Sequence, residues 1–235
     1  MTEFVMIVTL ISIWSSLLMS SITLGGAVHF WLEHSRKIVD IVPLKRYPLI
    51  TIVVPAHNEA VVIAQTTQAI LELNYPADKV ELLIFADNCN DQTAQRARTV
   101  LQLPKYKYEK RKAKVIERHG SGGKAGVLND ALKMAHGEYI GVYDADAMPE
   151  KNALYFLVRK ILENPTRYVA AFGRNKTRNA EQNFLTKCIN QEIVVTQRIQ
   201  HCAIWHLFKI GRIPGTNFII QSKYVRSIGG WANGA

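Results

Sequence analysis

The chain has 235 residues, 48% of them hydrophobic, with 29 Lys and Arg against 19 Asp and Glu for a formal charge of +10. That composition excludes a disordered or low-complexity chain, supplies one sizeable core, and directs the search toward anionic partners: nucleotides, nucleic acid or acidic lipid. Cys89, Cys188 and Cys202 are too few and too scattered for a disulfide framework or a zinc-type ligand set, which favours a reducing compartment.

From Phe4 to Leu32 there is no Asp, Glu, Lys or Arg. About 20 such residues already make a helix long enough to cross the hydrocarbon core, so residues 1–36 are expected to form one transmembrane anchor. A cleaved signal peptide is the competing reading, but it begins with a positive segment, whereas the charge preceding this span is Glu3. Arg36, Lys37, Lys45 and Arg46 follow the span and predict that the rest of the chain faces the cytoplasm, as a single-pass protein of the cell membrane.

Residues 37–48 read as a linker and 49–235 as a soluble domain. Leu49 to Val54 is apolar on both faces and rich in β-branched residues, the pattern of a buried parallel strand, and it ends at Pro55-Ala56-His57-Asn58-Glu59. A helical pattern with Val62, Ile63, Ala69, Ile70 and Leu73 apolar precedes a second strand, Val80 to Ala86, which ends at Asp87. Asp91 is placed to cap a helix reaching Leu103, and the basic run Lys105 to Lys114 is expected as a loop before a short strand, Val115 to Glu117. The Gly120-Ser121-Gly122-Gly123 turn feeds a helix over Lys124 to Ala135. Tyr139 to Tyr143 is the next strand, followed by Asp144-Ala145-Asp146, a helix over Glu150 to Glu163 and a strand at Tyr168 to Phe172. This alternation predicts an α/β fold, a mainly parallel sheet with helices on both faces.

Three strand ends carry polar clusters: His57-Asn58-Glu59, Asp87, and Asp144 with Asp146. In a parallel sheet the carboxyl ends of neighbouring strands face one crevice, where ligands bind. Two carboxylates one residue apart there are hard oxygen donors suited to Mg²⁺ or Mn²⁺ on a diphosphate, while the plain alternative is a pair of solvated turn-formers. The glycine turn is not a Walker loop, since Arg118 and Ala125 stand where Gly and Ser or Thr are required. Its Gly120-x-Gly122-x-x-Ala125 spacing leaves a dinucleotide loop as a competitor; the favoured reading has Lys124, at a helix start, offering charge to a phosphate.

Five stretches resemble membrane-bound family 2 glycosyltransferases of the GT-A fold, the type of bacterial synthase that builds cellulose, hyaluronan or poly-N-acetylglucosamine. They are Pro55-Ala56-His57-Asn58-Glu59, Ala86-Asp87-Asn88-Cys89-Asn90-Asp91, Gly123 to Asn129, Asp144-Ala145-Asp146 and Gly229-Gly230-Trp231. The resemblance implies that Pro55, His57, Glu59 and Asp87 line the base site. It further implies Lys124 toward the diphosphate, Asp144 toward the ribose and diphosphate, and Asp146 on the divalent cation. His57 stands where Tyr is common, and Ala86 where an acid is common. The implied reaction is inverting transfer from a nucleotide sugar, a UDP-sugar, to a growing β-linked polysaccharide. The resemblance also implies that the general base and further membrane helices lie beyond Ala235, so that 1–235 alone transfers poorly or relies on a partner subunit; a non-catalytic nucleotide-binding subunit is the rival.

Two segments keep more than one reading. Apolar residues over Ala180 to Phe208 describe a long amphipathic helix, either packed in a core or lying on the bilayer. Lys105 to Lys114 interleaves Tyr106 and Tyr108 with cations as single-strand binders do, but its place between helix and strand favours a solvated turn, with attraction to acidic lipid beside the anchor as the next reading, and no nucleic-acid partner is expected.

Overall fold

The computed structural model describes residues 2–34, 41–107, 111–177 and 179–232. Arg36 and Lys37 of the positive flank, Tyr108 to Lys110 of the basic run, and 233–235 lie outside the described residues. The chain divides into two compact units, one of residues 1–42 and 174–212 and the other of 43–173 and 213–235.

The larger unit is built on a six-stranded sheet. In chain order its strands are β1 Ile50–Ala56, β2 Val80–Asp87, β3 Lys112–Arg118, β4 Tyr139–Val142, β5 Ala170–Phe172 and β6 Phe218–Gln221. They lie in the order β3-β2-β1-β4-β6-β5. β3, β2, β1 and β4 are parallel, whereas β6 runs antiparallel to both β4 and β5.

Strand alternation sorts the core into two layers. Ile50, Ile52 and Val54 of β1, with Leu82 and Ile84 of β2, join one cluster; Val53, Leu83 and Phe85 join the other. The first cluster also takes the apolar sides of three helices, α2 Ile63–Leu71, α3 Thr93–Leu101 and α6 Ala153–Glu163, through residues such as Ile70, Ala97 and Leu154. The second takes Val127, Leu128 and Ala131 of α5, Gly123–Met134, and Val225 of α9, Ser222–Ser227. Both faces are therefore covered, as a sheet of doubly apolar strands requires, and each fully buried Ile or Leu contributes about 1.5–3 kcal/mol.

Several expectations are corrected. β3 starts at Lys112 and α4 occupies Pro104–Lys107, so the basic run is not one loop. Lys112 and Lys114 are tolerated because β3 is an edge strand whose side chains are alternately exposed. The helix expected to reach Leu103 ends at Leu101, and its start is held by Asp91, which accepts from the Thr93 amide at 2.9 Å. Strand and helix do not alternate throughout: β6 was not expected, and it inserts between β4 and β5 as a long-range partner.

At the sheet edge where β1 begins, a buried polar cluster locks the α5–β4 turn. Thr51 Oγ1 donates to Glu81 Oε2 at 2.6 Å and accepts from the Gly137 amide at 2.9 Å, and the His136 amide donates to Glu81 at 3.0 Å. A Cβ on Gly137 would stand 2.4 Å from the Thr51 nitrogen, so glycine is required there for close approach.

The smaller unit contains α1 Thr2–His34, α7 Phe184–Val195 and α8 His201–Phe208. α7 opens with a capping box between Asn183 and Thr186 and runs through a π-helical turn, Thr196–Gln200, into α8. The amphipathic helix expected over 180–208 is thus one continuous helical run from 184 to 208 with a widened turn. α1 is long and apolar enough to cross a membrane. Small residues form its contact with α8: Ala27 and Ala203 are buried, and a Cβ on Gly26 would lie 3.1 Å from Leu207.

Candidate functional site

The strand order reverses between β1 and β4, and the carboxyl ends of β3, β2, β1 and β4 share one edge of the sheet. The expected clusters lie at that edge because each directly follows one of these strands: His57 after β1, Asp87 at the end of β2, Asp144 and Asp146 after β4.

The ends of β1 and β2 are tied together. The His57 Nδ1–H donates to the Asp87 carbonyl at 2.8 Å, since a carbonyl can only accept, and Asn58 Oδ1 accepts from the Asn90 amide at 2.8 Å. Asn58 and Asn88 both adopt positive φ, 55° and 50°, a conformation asparagine tolerates better than most residues and which turns the chain sharply off each strand. The Glu59 amide donates to Thr93 Oγ1 and the Ala60 amide to Asp91 Oδ2, so the loop after β1 is held from the start of α3. Pro55 is half-buried within β1, while His57 is exposed at the rim.

Asp87 is buried and paired with Arg118, whose Nη1 lies 2.7 Å from Oδ1; Arg118 Nε also donates to Asp130 on α5 at 2.8 Å, and Nη2 to the Ser121 carbonyl. The hydrogen bonds to Asp130 and then Asp87 raise the Arg118 pKa, so the guanidinium stays charged. Arg118 was considered in the sequence only as a mismatch to a Walker loop. The signal that identifies it is register: it is the last residue of β3, opposite Asp87 at the end of β2.

Across the β1–β4 switch, Lys124 in the first turn of α5 forms an ion pair with Asp144 and donates to the Gly215 carbonyl at 2.8 Å. The Asp144 amide donates to Thr216 Oγ1, and the Asn217 amide to the Val142 carbonyl. Asn217 is a third asparagine with positive φ, 55°, at this edge. Gly122 initiates α5 with φ 84°, a value suited to glycine. Asp146 is exposed, two residues beyond Asp144. The Gly229-Gly230-Trp231 stretch is latched to α5: Asn129 Oδ1 accepts from the Trp231 amide at 2.7 Å and Asn129 Nδ2 donates to the Trp231 carbonyl at 2.8 Å.

Lys124, His57 and three carboxylates, Asp87, Asp144 and Asp146, thus come from four separate stretches to one rim. Chemically, a cation such as Lys124 suits a phosphate, while carboxylates such as Asp144 and Asp146 suit a hard metal ion.

The family model for Glycosyl transferase family 2 matches residues 51–228. The probable glycosyltransferase YdaM of Bacillus subtilis is 34% identical over 95% of this chain and 53% of its own length. The beta-monoglucosyldiacylglycerol synthase of Synechocystis is 32% identical over 79% of the chain and 37% of its own length. The chain therefore spans about half or less of the length of these relatives. Among solved structures, a mannosyltransferase from Pyrobaculum calidifontis in complex with GDP-Man and Mn²⁺ superposes with a TM-score of 0.64 at 21% identity, covering 92% of this chain and 58% of that one. Its likeness bears on the fold, which is of the GT-A type. The chain belongs to glycosyl transferase family 2.

Proposed function

We propose that the chain carries the donor site of a membrane-anchored glycosyltransferase that uses a nucleotide-diphospho-sugar, a UDP-sugar, with Mg²⁺ or Mn²⁺, to extend a β-linked polysaccharide on the cytoplasmic side. The observation that carries this reading is the meeting of Lys124 with Asp144 at the β1–β4 switch, on the same edge as Asp87 and His57. In it, 1–36 is the anchor, 37–48 the linker and 49–235 the transferase domain. Pro55, His57, Glu59 and Asp87 border the base, and the ion pair with Arg118 fixes the Asp87 carboxylate in place. Lys124 exchanges its Asp144 partner for the diphosphate, and Asp144 is released toward the ribose side. Asp146 is assigned to the cation: an exposed carboxylate on a rim of oxygen donors fits a hard divalent ion. When bound, that ion supplies positive charge against the departing nucleoside diphosphate. Proton removal from the acceptor hydroxyl is assigned to none of Asp87, Asp144 and Asp146.

A second reading replaces the polysaccharide by a lipid acceptor, and the 32% identity to a beta-monoglucosyldiacylglycerol synthase supports it. A non-catalytic nucleotide-binding subunit remains the rival of both.

Titrating UDP into the full chain in detergent micelles, with and without Mn²⁺, tests the donor site. Wild type is expected to bind UDP more tightly with Mn²⁺, and Asp146→Ala to lose that gain. Equal behaviour of the two proteins overturns the cation site; no UDP binding by wild type overturns the UDP reading, with GDP as the next nucleotide to try. Transfer from labelled UDP-sugars to polysaccharide or diacylglycerol acceptors separates the two enzyme readings.

A further inference from the structure

The smaller unit holds a second set of ligand-type side chains, sharing no residue with the sheet edge. His29 and Glu33 stand four residues apart on α1 and so share one helix face, and His206 reaches them from α8. His29 Nδ1 lies 3.6 Å from Glu33 Oε1, and His206 Nδ1 lies 3.6 Å from Glu33 Oε2. The two imidazole rings are 4.5 Å apart and tilted by 35°. One ligand atom from each of the three residues lies within 4.8 Å of the others.

Those separations are too long for direct hydrogen bonds between the imidazoles and the carboxylate. Around a shared tetrahedral metal with bonds of about 2.0–2.2 Å, neighbouring donor atoms are roughly 3.3 Å apart, so the three side chains, which now approach through different Glu33 oxygens, would draw together by a small rotation to meet one ion. His206 Nδ1 is also shielded from solvent and has no hydrogen-bond partner among the described residues. A shielded imidazole nitrogen facing a carboxylate at 3.6 Å without a hydrogen bond is a polar group whose desolvation is only partly compensated. A metal ion between the three side chains would satisfy it.

We propose that His29, Glu33 and His206 bind a divalent transition-metal ion of the Zn²⁺ class, with water in the fourth position. Imidazole and carboxylate donors suit Zn²⁺, and three protein ligands with one open position is a common arrangement for it. Two ligands come from α1 and one from α8, so the ion would act as a clip between these helices, where Ala27, Ala203 and Gly26 already bring them close.

The experiment uses the full chain in detergent micelles, stripped with EDTA and titrated with Zn²⁺ by calorimetry and with Co²⁺ by visible absorption. Expected are one equivalent of Zn²⁺, the d–d bands of four-coordinate Co²⁺, and a raised melting temperature with Zn²⁺. His206→Ala and Glu33→Gln should each weaken Zn²⁺ by more than the roughly 10–100-fold that loss of a group behind a ligand costs. Asp146→Ala should leave this binding intact. His206→Cys, which exchanges one zinc ligand for another, should retain Zn²⁺ with a melting temperature still raised by it, and add a thiolate-to-Co²⁺ charge-transfer band above the wild-type background, in which Cys89, Cys188 and Cys202 are already present. Unchanged Zn²⁺ affinity in the His29→Ala/His206→Ala double variant, loss of binding in Asp146→Ala, or failure of His206→Cys to show the thiolate band would each overturn the proposal.

Discussion

Arg118 and Asp87 are the last residues of two adjacent parallel strands, in register, and their side chains meet with Nη1 2.7 Å from Oδ1. Only 13% and 9% of their side-chain surfaces are exposed, so the Asp87 carboxylate depends on Arg118 for its compensation, whereas Arg118 also holds Asp130. Arg118→Ala is expected to destabilise the larger unit by about 3 kcal/mol, because it strands the Asp87 carboxylate. In a double-mutant cycle with Asp87→Ala, the combined loss should fall short of the sum by about 1–3 kcal/mol. Chemical denaturation of the four proteins measures this. Additive losses would show that the pair is a coincidence of geometry.

The space around that guanidinium is reserved by glycine. A Cβ on Gly126 would stand 2.4 Å from the Ser121 carbonyl oxygen and 2.8 Å from Arg118 Nη2. Neither the backbone of the glycine turn nor the doubly paired Arg118 can give way cheaply. Gly126→Ala is expected to cost about 1–3 kcal/mol despite the better helix propensity of alanine, and to weaken nucleotide binding by displacing Arg118 from Asp87. Stability and UDP affinity both at wild-type level in this variant would contradict the crowding.

Lys124 is already engaged before any ligand arrives, with Asp144 and the Gly215 carbonyl. In the proposed donor site it must exchange those partners for phosphate oxygens. Charge-assisted hydrogen bonds contribute about 1.5–3 kcal/mol each, so Lys124→Met should weaken UDP roughly 10–100-fold. Uridine, which has no phosphate, should bind the variant and wild type alike. An equal loss for uridine would place the defect in the base site or in folding instead.

Much of this edge was legible in the sequence, and the reason is physical. Central parallel strands are apolar on both faces, so Leu49 to Val54, Val80 to Ala86 and Tyr139 to Tyr143 stand out as runs, and the polar residues ending them stand out in turn. β6 was missed because its place antiparallel between β4 and β5 is settled by long-range contact, which the local run Phe218–Gln221 does not display. β3 was read too short because Lys112 and Lys114 on an exposed edge strand look like loop. Arg118 was missed as a partner of Asp87 for the same reason: register between strands is invisible until the strands are paired. The 184–208 helix was visible from its apolar period, but the π turn at Thr196–Gln200 has no counterpart in that period.

Tyr143 follows β4 and is fully buried, and its hydroxyl has no hydrogen-bond partner among the described residues. Burial raises its pKa, so it stays neutral, but a neutral hydroxyl without a partner still carries a desolvation cost. Tyr143→Phe keeps the ring and removes that atom. It is expected to be neutral or to stabilise the chain by about 1 kcal/mol, read as an unchanged or higher melting temperature. Destabilisation by a similar amount would show that the hydroxyl has a partner, such as an ordered water.

Glu81 makes acid stability testable. Burial pushes its pKa up, but the His136 amide, the Thr51 hydroxyl and the His136 ring together hold it below its ordinary value. A carboxyl whose folded pKa is depressed contributes stability that is fully present above its unfolded pKa, about 4.3, and is lost as pH falls through the lower folded value. Unfolding free energy should therefore decline with acidification below about pH 4.3, and Glu81→Gln should flatten that part of the decline. At neutral pH the same variant should cost about 1–3 kcal/mol, since the amide cannot accept all three bonds at two oxygens. Denaturation of both proteins across this range decides it. Parallel curves would mean that Glu81 carries none of the acid sensitivity, and that the Thr51–Gly137 link alone holds the α5–β4 turn.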